Sequence, residues 1–150
     1  MAGTFAQLHV QVVFAVYQRQ KLIHPSWQEE LNKYISGIIK NKGQKPIIVN
    51  GLPDHIHVFF GMKPNCCVSD LTRDIKNNSS NFINDYKLPN RKFAWQSGFG
   101  AFSYSASEID QVYKYIQNQQ LHHQKASFRE EYVELLNQHR VEFEERYLFN

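Results

Sequence analysis

Cysteine is almost missing from this chain, and its only two, Cys66 and Cys67, are adjacent. Neighbouring cysteines bridge only under strain, so no disulfide framework is expected. The two-residue spacer of a zinc pair is missing as well. A reducing, cytoplasmic setting follows as the expectation. No stretch is apolar over the length needed to span a membrane, which argues against a membrane protein. The opening Met1-Ala2-Gly3-Thr4-Phe5-Ala6-Gln7 lacks the charged segment and apolar run of a signal peptide. Repeats, low-complexity tracts and long linkers are lacking, so nothing divides the chain. Nor does one sign of charge dominate: the formal net charge is +3 and the pI about 8.8. That balance permits a nucleic-acid partner without demanding one.

Apolar material, by contrast, is ample. The chain has 150 residues, 42% of them hydrophobic, with 11 Phe and 8 Tyr. One domain over 1–150 with a sizeable core is expected.

Leu8 to Val16 alternates in part, with Val10, Val12, Phe14 and Val16 on one face, and predicts a strand with one strongly apolar side. Pro25 and Ser26 precede Trp27, Leu31, Ile35, Ile38 and Ile39 at helical spacing, and Lys42-Gly43 ends that helix. Ile47 to Phe60 predicts a hairpin around Asn50-Gly51 and Pro53-Asp54. A second helix is expected from an N-cap at Ser69, with a kink or fray at Asn77-Asn78-Ser79-Ser80-Asn81. Phe93 to Ser105 predicts a bent strand. Ser107 is expected to open one long helix to about Lys125, and a last helix covers Phe128 to Tyr147. The fold class is therefore α+β. A β-α-β-β-α-β order predicts a ferredoxin-like antiparallel sheet with two helices on one face, followed by two further helices.

Within the hairpin, His55-Ile56-His57 is the feature most suggestive of chemistry. Residues two apart on a strand share a face, so the two imidazoles stand about 6–7 Å apart and can meet one metal ion. Spacing alone does not separate such ligands from two ordinary surface or hydrogen-bonded histidines. On the long helix, Tyr115 and Gln119 are one turn apart and flank the stripe Ile109, Val112, Ile116. A tyrosine at the edge of a core and a solvated glutamine fit that pattern equally well. Tyr113 also has a glutamine four residues on, Gln117, so spacing does not choose between the tyrosines. His122 and His123 read as a solvated helix end, the alternative being that one of them assists a metal site.

His55-Ile56-His57 followed by Tyr115-Ile116-Gln117-Asn118-Gln119 resembles the paired motifs of the single-tyrosine HUH transposases. These are small transposases of insertion sequences that move as single-stranded DNA. Gly51-Leu52-Pro53-Asp54 and Trp95-Gln96-Ser97-Gly98-Phe99-Gly100-Ala101-Phe102-Ser103 are similar to that family too. The resemblance covers nearly the whole chain. It departs at Gln11, where many relatives carry histidine, and near Tyr17, where the family often has lysine.

The resemblance implies that His55 and His57 supply two neutral nitrogen ligands and Gln119 a carbonyl oxygen to Mg²⁺ or Mn²⁺. Tyr115 would be the nucleophile, forming a 5′-phosphotyrosine and releasing a 3′-hydroxyl, with the reverse reaction joining a new strand. The partner would be single-stranded DNA with hairpins, and the assembly a homodimer; in characterised members of that family the tyrosine helix reaches the other subunit's histidines, and the sequence leaves open whether the helix here serves its own chain or its partner. Arg73, Lys76, Lys87, Arg91 and Lys92 are the candidate phosphate contacts. A domesticated relative that processes repetitive hairpins would show the same residues. A non-catalytic ferredoxin-like nucleic-acid module would show aromatics where this strand shows histidines. A metal-binding structural or sensor protein would leave the tyrosine motif without a purpose.

Overall fold

The computed structural model describes residues 3–90 and 92–148. Among these, β1 (His9–Ala15), α1 (Pro25–Asn41), β2 (Lys45–Leu52), β3 (His55–Gly61), α2 (Val68–Tyr86) and β4 (Gly100–Tyr104) follow in the expected order. The strands form one antiparallel sheet in the order β2-β3-β1-β4. That is the ferredoxin-like topology, with the histidine strand β3 at its centre beside β1.

One face is closed by α1 and α2. Val12 and Phe14 of β1, Val16 just after it, and Ile56, Val58 and Phe60 of β3 meet Leu31, Ile35, Ile39, Ile75 and Ile83 there. The other face of β1 is expected to be weakly apolar, yet Val13 and Ala15 are just as buried. They pack with Phe102, Phe128, Leu135 and Leu136, because the C-terminal helices cover that side. A central strand covered on both faces needs apolar residues in both registers, which β1 has.

Several element ends differ from the sequence expectation. α2 begins at Val68 after Cys67, so Ser69 lies inside its first turn instead of capping it. The polar middle of α2 neither kinks nor frays. Ser79 is buried, its Oγ donates to Ile75 O at 2.6 Å, and it accepts from Trp95 Nε1 at 3.0 Å. The helix therefore uses that weak helix former as a tertiary anchor. β4 is shorter than the predicted bent strand, and Trp95 contributes only an isolated bridge to Val16. Ser105, not Ser107, caps the 3₁₀ turn Ala106–Glu108 that leads into the tyrosine helix, in a capping box with Glu108.

The predicted long helix is two pieces. α3 (Ile109–Gln117) stops at Asn118, and α4 (Gln119–His122) follows as a single turn. The last helix is also shorter: α5 (Phe128–Gln138) is capped by Ser127, and Arg140 with φ 55° turns the chain away before a 3₁₀ turn over Glu145–Tyr147.

Candidate active site

His55 and His57 lie on the face of β3 that α3, α4 and α5 cover. Both are fully buried, with ring centroids 5.2 Å apart. The break at Asn118 is pinned to the hairpin. Asn50 Nδ2 donates to Ile116 O at 2.9 Å, and Gln120 Nε2 donates to Gly51 O at 3.1 Å. These bonds seat Tyr115 with its ring centroid 6.0 Å from that of His57, and leave Gln119 fully buried.

The centre of the cluster is Glu131 of α5, only 1% exposed. Its Oε1 lies 3.1 Å from His57 Nε2, 2.8 Å from His123 Nε2 and 3.4 Å from His55 Nε2. Its Oε2 accepts from Gln119 Nε2 at 2.8 Å and from the Tyr115 hydroxyl. One carboxylate thus touches both strand histidines, a third histidine, the glutamine and the tyrosine.

Charge in the cluster is strongly coupled. Burial opposes ionisation of Glu131, but the histidines and their hydrogen bonds hold its carboxyl far below the usual range. Burial disfavours the charged form of His55, yet the hydrogen bonds its ring donates to Asp54 and Glu131 outweigh it and raise the pKa. For His57, burial wins and the pKa is lowered. Burial, then the Glu131 charge, pushes the Tyr115 phenol up. An added positive charge among these groups would ease that phenol's ionisation.

The donors fit a divalent cation. Asp54 Oδ1 stands 2.7 Å from His55 Nδ1, which places the ring proton there and turns the Nε2 lone pair inward. Among the described residues, Gln119 Oε1 and Glu131 Oε1 face that nitrogen, each at 3.4 Å. Two oxygens converging there in a buried space can hold a cation with it. The Gln11 amide, 2.7 Å from His57 Nδ1, can present its oxygen there when turned over, which frees His57 Nε2 as a ligand.

A family profile described as "Transposase IS200 like" matches residues 4–119. The chain belongs to the IS200-like transposase family. The transposase matches no curated protein sequence. Among solved structures it is similar to a candidate transposase from Deinococcus radiodurans R1. The TM-score is 0.65 at 18% identity, over 79% of this chain and 95% of that one. It is also similar to the REP-associated tyrosine transposase bound to a REP hairpin. There the TM-score is 0.59 at 15% identity, over 82% of this chain and 73% of the other. At such identities the likeness concerns the fold.

In the transposase, His55, His57, Tyr115 and Gln119 come together within one chain. Tyr113 is 38% exposed and stands outside the cluster. His123, expected in solvent, turns inward onto Glu131.

Arg73, Lys76, Lys87 and Lys92, expected to contact DNA, stand outside this cluster. Arg73 pairs with Asp70 and Asp74, and Lys87 with Glu30. Lys76 Nζ donates to the carbonyls of Gln96 and Gly98. Lys92 is exposed, and Arg91 lies outside the described residues.

Glu131 was legible only in part. It stands three residues after Phe128 and four before Leu135, so it interrupts an apolar helical stripe with a carboxylate. Its neighbour Glu130 at the same helix N-terminus makes the pair look like ordinary dipole partners.

Proposed function

We propose that this transposase cuts and rejoins single-stranded DNA beside hairpins, with Tyr115 as the nucleophile and Mg²⁺ or Mn²⁺ as the cofactor. The observation that carries this reading is the meeting of Tyr115 and Gln119 with His55 and His57 in one buried cluster. The hairpin carried by the REP-associated relative supports the choice of partner. The domesticated variant of this reading differs only in the element served, not in the site.

A divalent cation held by His55 Nε2, His57 Nε2 and Gln119 Oε1 would neutralise phosphate charge and orient the scissile group. Tyr115 Oη attacks the phosphorus, and the bond to the 3′-oxygen breaks. That oxygen leaves with the electron pair and takes up the phenolic proton, relayed through water. Glu131 Oε2, the acceptor of the phenol's hydrogen bond, orients the nucleophile. The DNA is left joined through a 5′-phosphotyrosine. The bond energy is conserved, so attack by another 3′-hydroxyl reverses the step.

A cleft of about 670 Å³ opens beside the cluster at Asp54 and His123, with Arg19, Lys21 and Arg129 on its wall. A smaller space of about 190 Å³ on the Tyr115 side is lined by Glu108, Glu131 and Glu134. A polyanion is drawn to the first and repelled by the second, so the strand enters past the basic wall. A homodimer would carry two such sites, each completed by its own chain.

The test is a denaturation-resistant adduct with hairpin oligonucleotides from the flanks of the gene, in Mn²⁺ or Mg²⁺. Wild type and Tyr113→Phe should form it, while Tyr115→Phe, His55→Ala and His57→Ala should not. An adduct that survives Tyr115→Phe but not Tyr113→Phe would assign the nucleophile to the other tyrosine.

A further inference from the structure

We propose that Glu131 and His123 are ligands of the same divalent cation as His55, His57 and Gln119, so that the segment after Asn118 completes the metal site. This inference rests on the metal-dependent reading above and extends it to residues beyond the family match, which ends at residue 119.

The geometry separates a ligand from a mere occupant. The ligand atoms of His55, His57, His123 and Glu131 all lie within 4.8 Å of one another. Glu131 Oε1 stands 2.8, 3.1 and 3.4 Å from the Nε2 atoms of His123, His57 and His55. With metal–ligand bonds of about 2.1 Å, neighbouring ligands in a tetrahedral or octahedral shell are roughly 3.0–3.4 Å apart. The carboxylate oxygen stands at ligand-to-ligand distance from the His57 and His55 nitrogens and slightly inside it from His123.

Burial argues the same way. A carboxylate 1% exposed on an apolar helical stripe is costly unless it has a charged partner. With His55 and His57 neutral, as ligands must be, the cation is that partner. The other oxygen of the same carboxylate holds Tyr115 and Gln119, so Glu131 links cation to nucleophile. Five donors from a single chain also mean that the cation binds before DNA, without phosphate to complete its shell.

The experiment is calorimetric titration of Mn²⁺ into metal-free protein, without DNA. Wild type should bind. Glu131→Gln and His123→Gln should each weaken binding at least ~10-fold, since even residues behind a ligand are worth that much. Exposed Glu142→Gln should leave the affinity unchanged and controls for net charge. Spin-echo spectroscopy of Mn²⁺ on the unmodified protein should count three imidazole nitrogens, a readout that survives if a variant fails to fold.

Unchanged or tighter binding by Glu131→Gln, or a count of two nitrogens, overturns this inference alone. It would make Glu131 an occupant that the cation displaces. A wild type that binds no Mn²⁺ overturns this inference together with the metal-dependent reading, whereas loss of adduct in Tyr115→Phe is independent of both.

Discussion

Each residue of the cluster has its protonation set by its neighbours, and the same holds away from the site. Lys76 was a natural candidate for phosphate contact, yet its ammonium is half-buried and spends its donors on the carbonyls of Gln96 and Gly98. Burial lowers its pKa to about 8, below the ordinary value of 10.5. A base with a depressed folded pKa costs stability while charged. That cost is complete below pH 8 and fades as pH rises from about 8 towards 10.5. Wild type should therefore gain stability relative to Lys76→Met over that range, measured by urea unfolding of both proteins at each pH. A flat difference would mean that the ammonium is as well solvated in the fold as in the unfolded chain. Tyr115 against Tyr113 is also a residue-scale question. The motif resemblance pointed to Tyr115, and burial beside His57 now separates the pair where spacing did not.

Elements carry these residues into place, and two local devices matter most. Ser105 and Glu108 close a capping box at the start of the tyrosine helix. Ser105→Ala should cost about 1 kcal/mol in chemical denaturation. Because Asn50 and Gln120 still pin the far end of α3, adduct formation should persist in that variant. Gly51 is the second device. A Cβ there would stand 2.4 Å from His55 O and 2.9 Å from Ile56 Cα, both backbone atoms of the histidine strand. Gly51→Ala should destabilise the fold by roughly 1–3 kcal/mol. It should also weaken Mn²⁺ binding, since the backbone that must yield carries His55; unaltered binding would show that the strain relaxes elsewhere. The element types were readable in sequence because their periods were clear. The Asn118 break was not, since nothing in Gln117-Asn118-Gln119 forbids a helix and the bonds that favour the break come from Asn50 and Gly51 across the sheet.

For the whole molecule, the consequence is that one chain holds a complete cluster. The sequence leaves open whether the tyrosine helix serves its own histidines or the other subunit's; in this chain Tyr115 lies beside its own His57 and Glu131. Mixing His55→Ala with Tyr115→Phe should therefore not restore the DNA adduct. Restoration to a substantial fraction of wild type would show that the helices exchange between subunits. The covering of both sheet faces belongs to this scale too. α5 buries Phe128, Leu135 and Leu136 against Val13 and Ala15, and in doing so delivers Glu131. Packing and site assembly are thus one event.

The sequence alone determined the β-α-β-β-α-β order, the ferredoxin-like class, the shared face of His55 and His57, and the Tyr115–Gln119 spacing. All of these are periodicities or motifs within a few residues of one another, where local geometry dictates the outcome. The tertiary structure decided that the histidine face is buried and that the long helix breaks at Asn118. It also decided that His123 turns inward and that Glu131 is the hub of the cluster. Those outcomes depend on contacts between segments far apart in the chain, and the free energy that fixes them arises only once the second face of the sheet is covered.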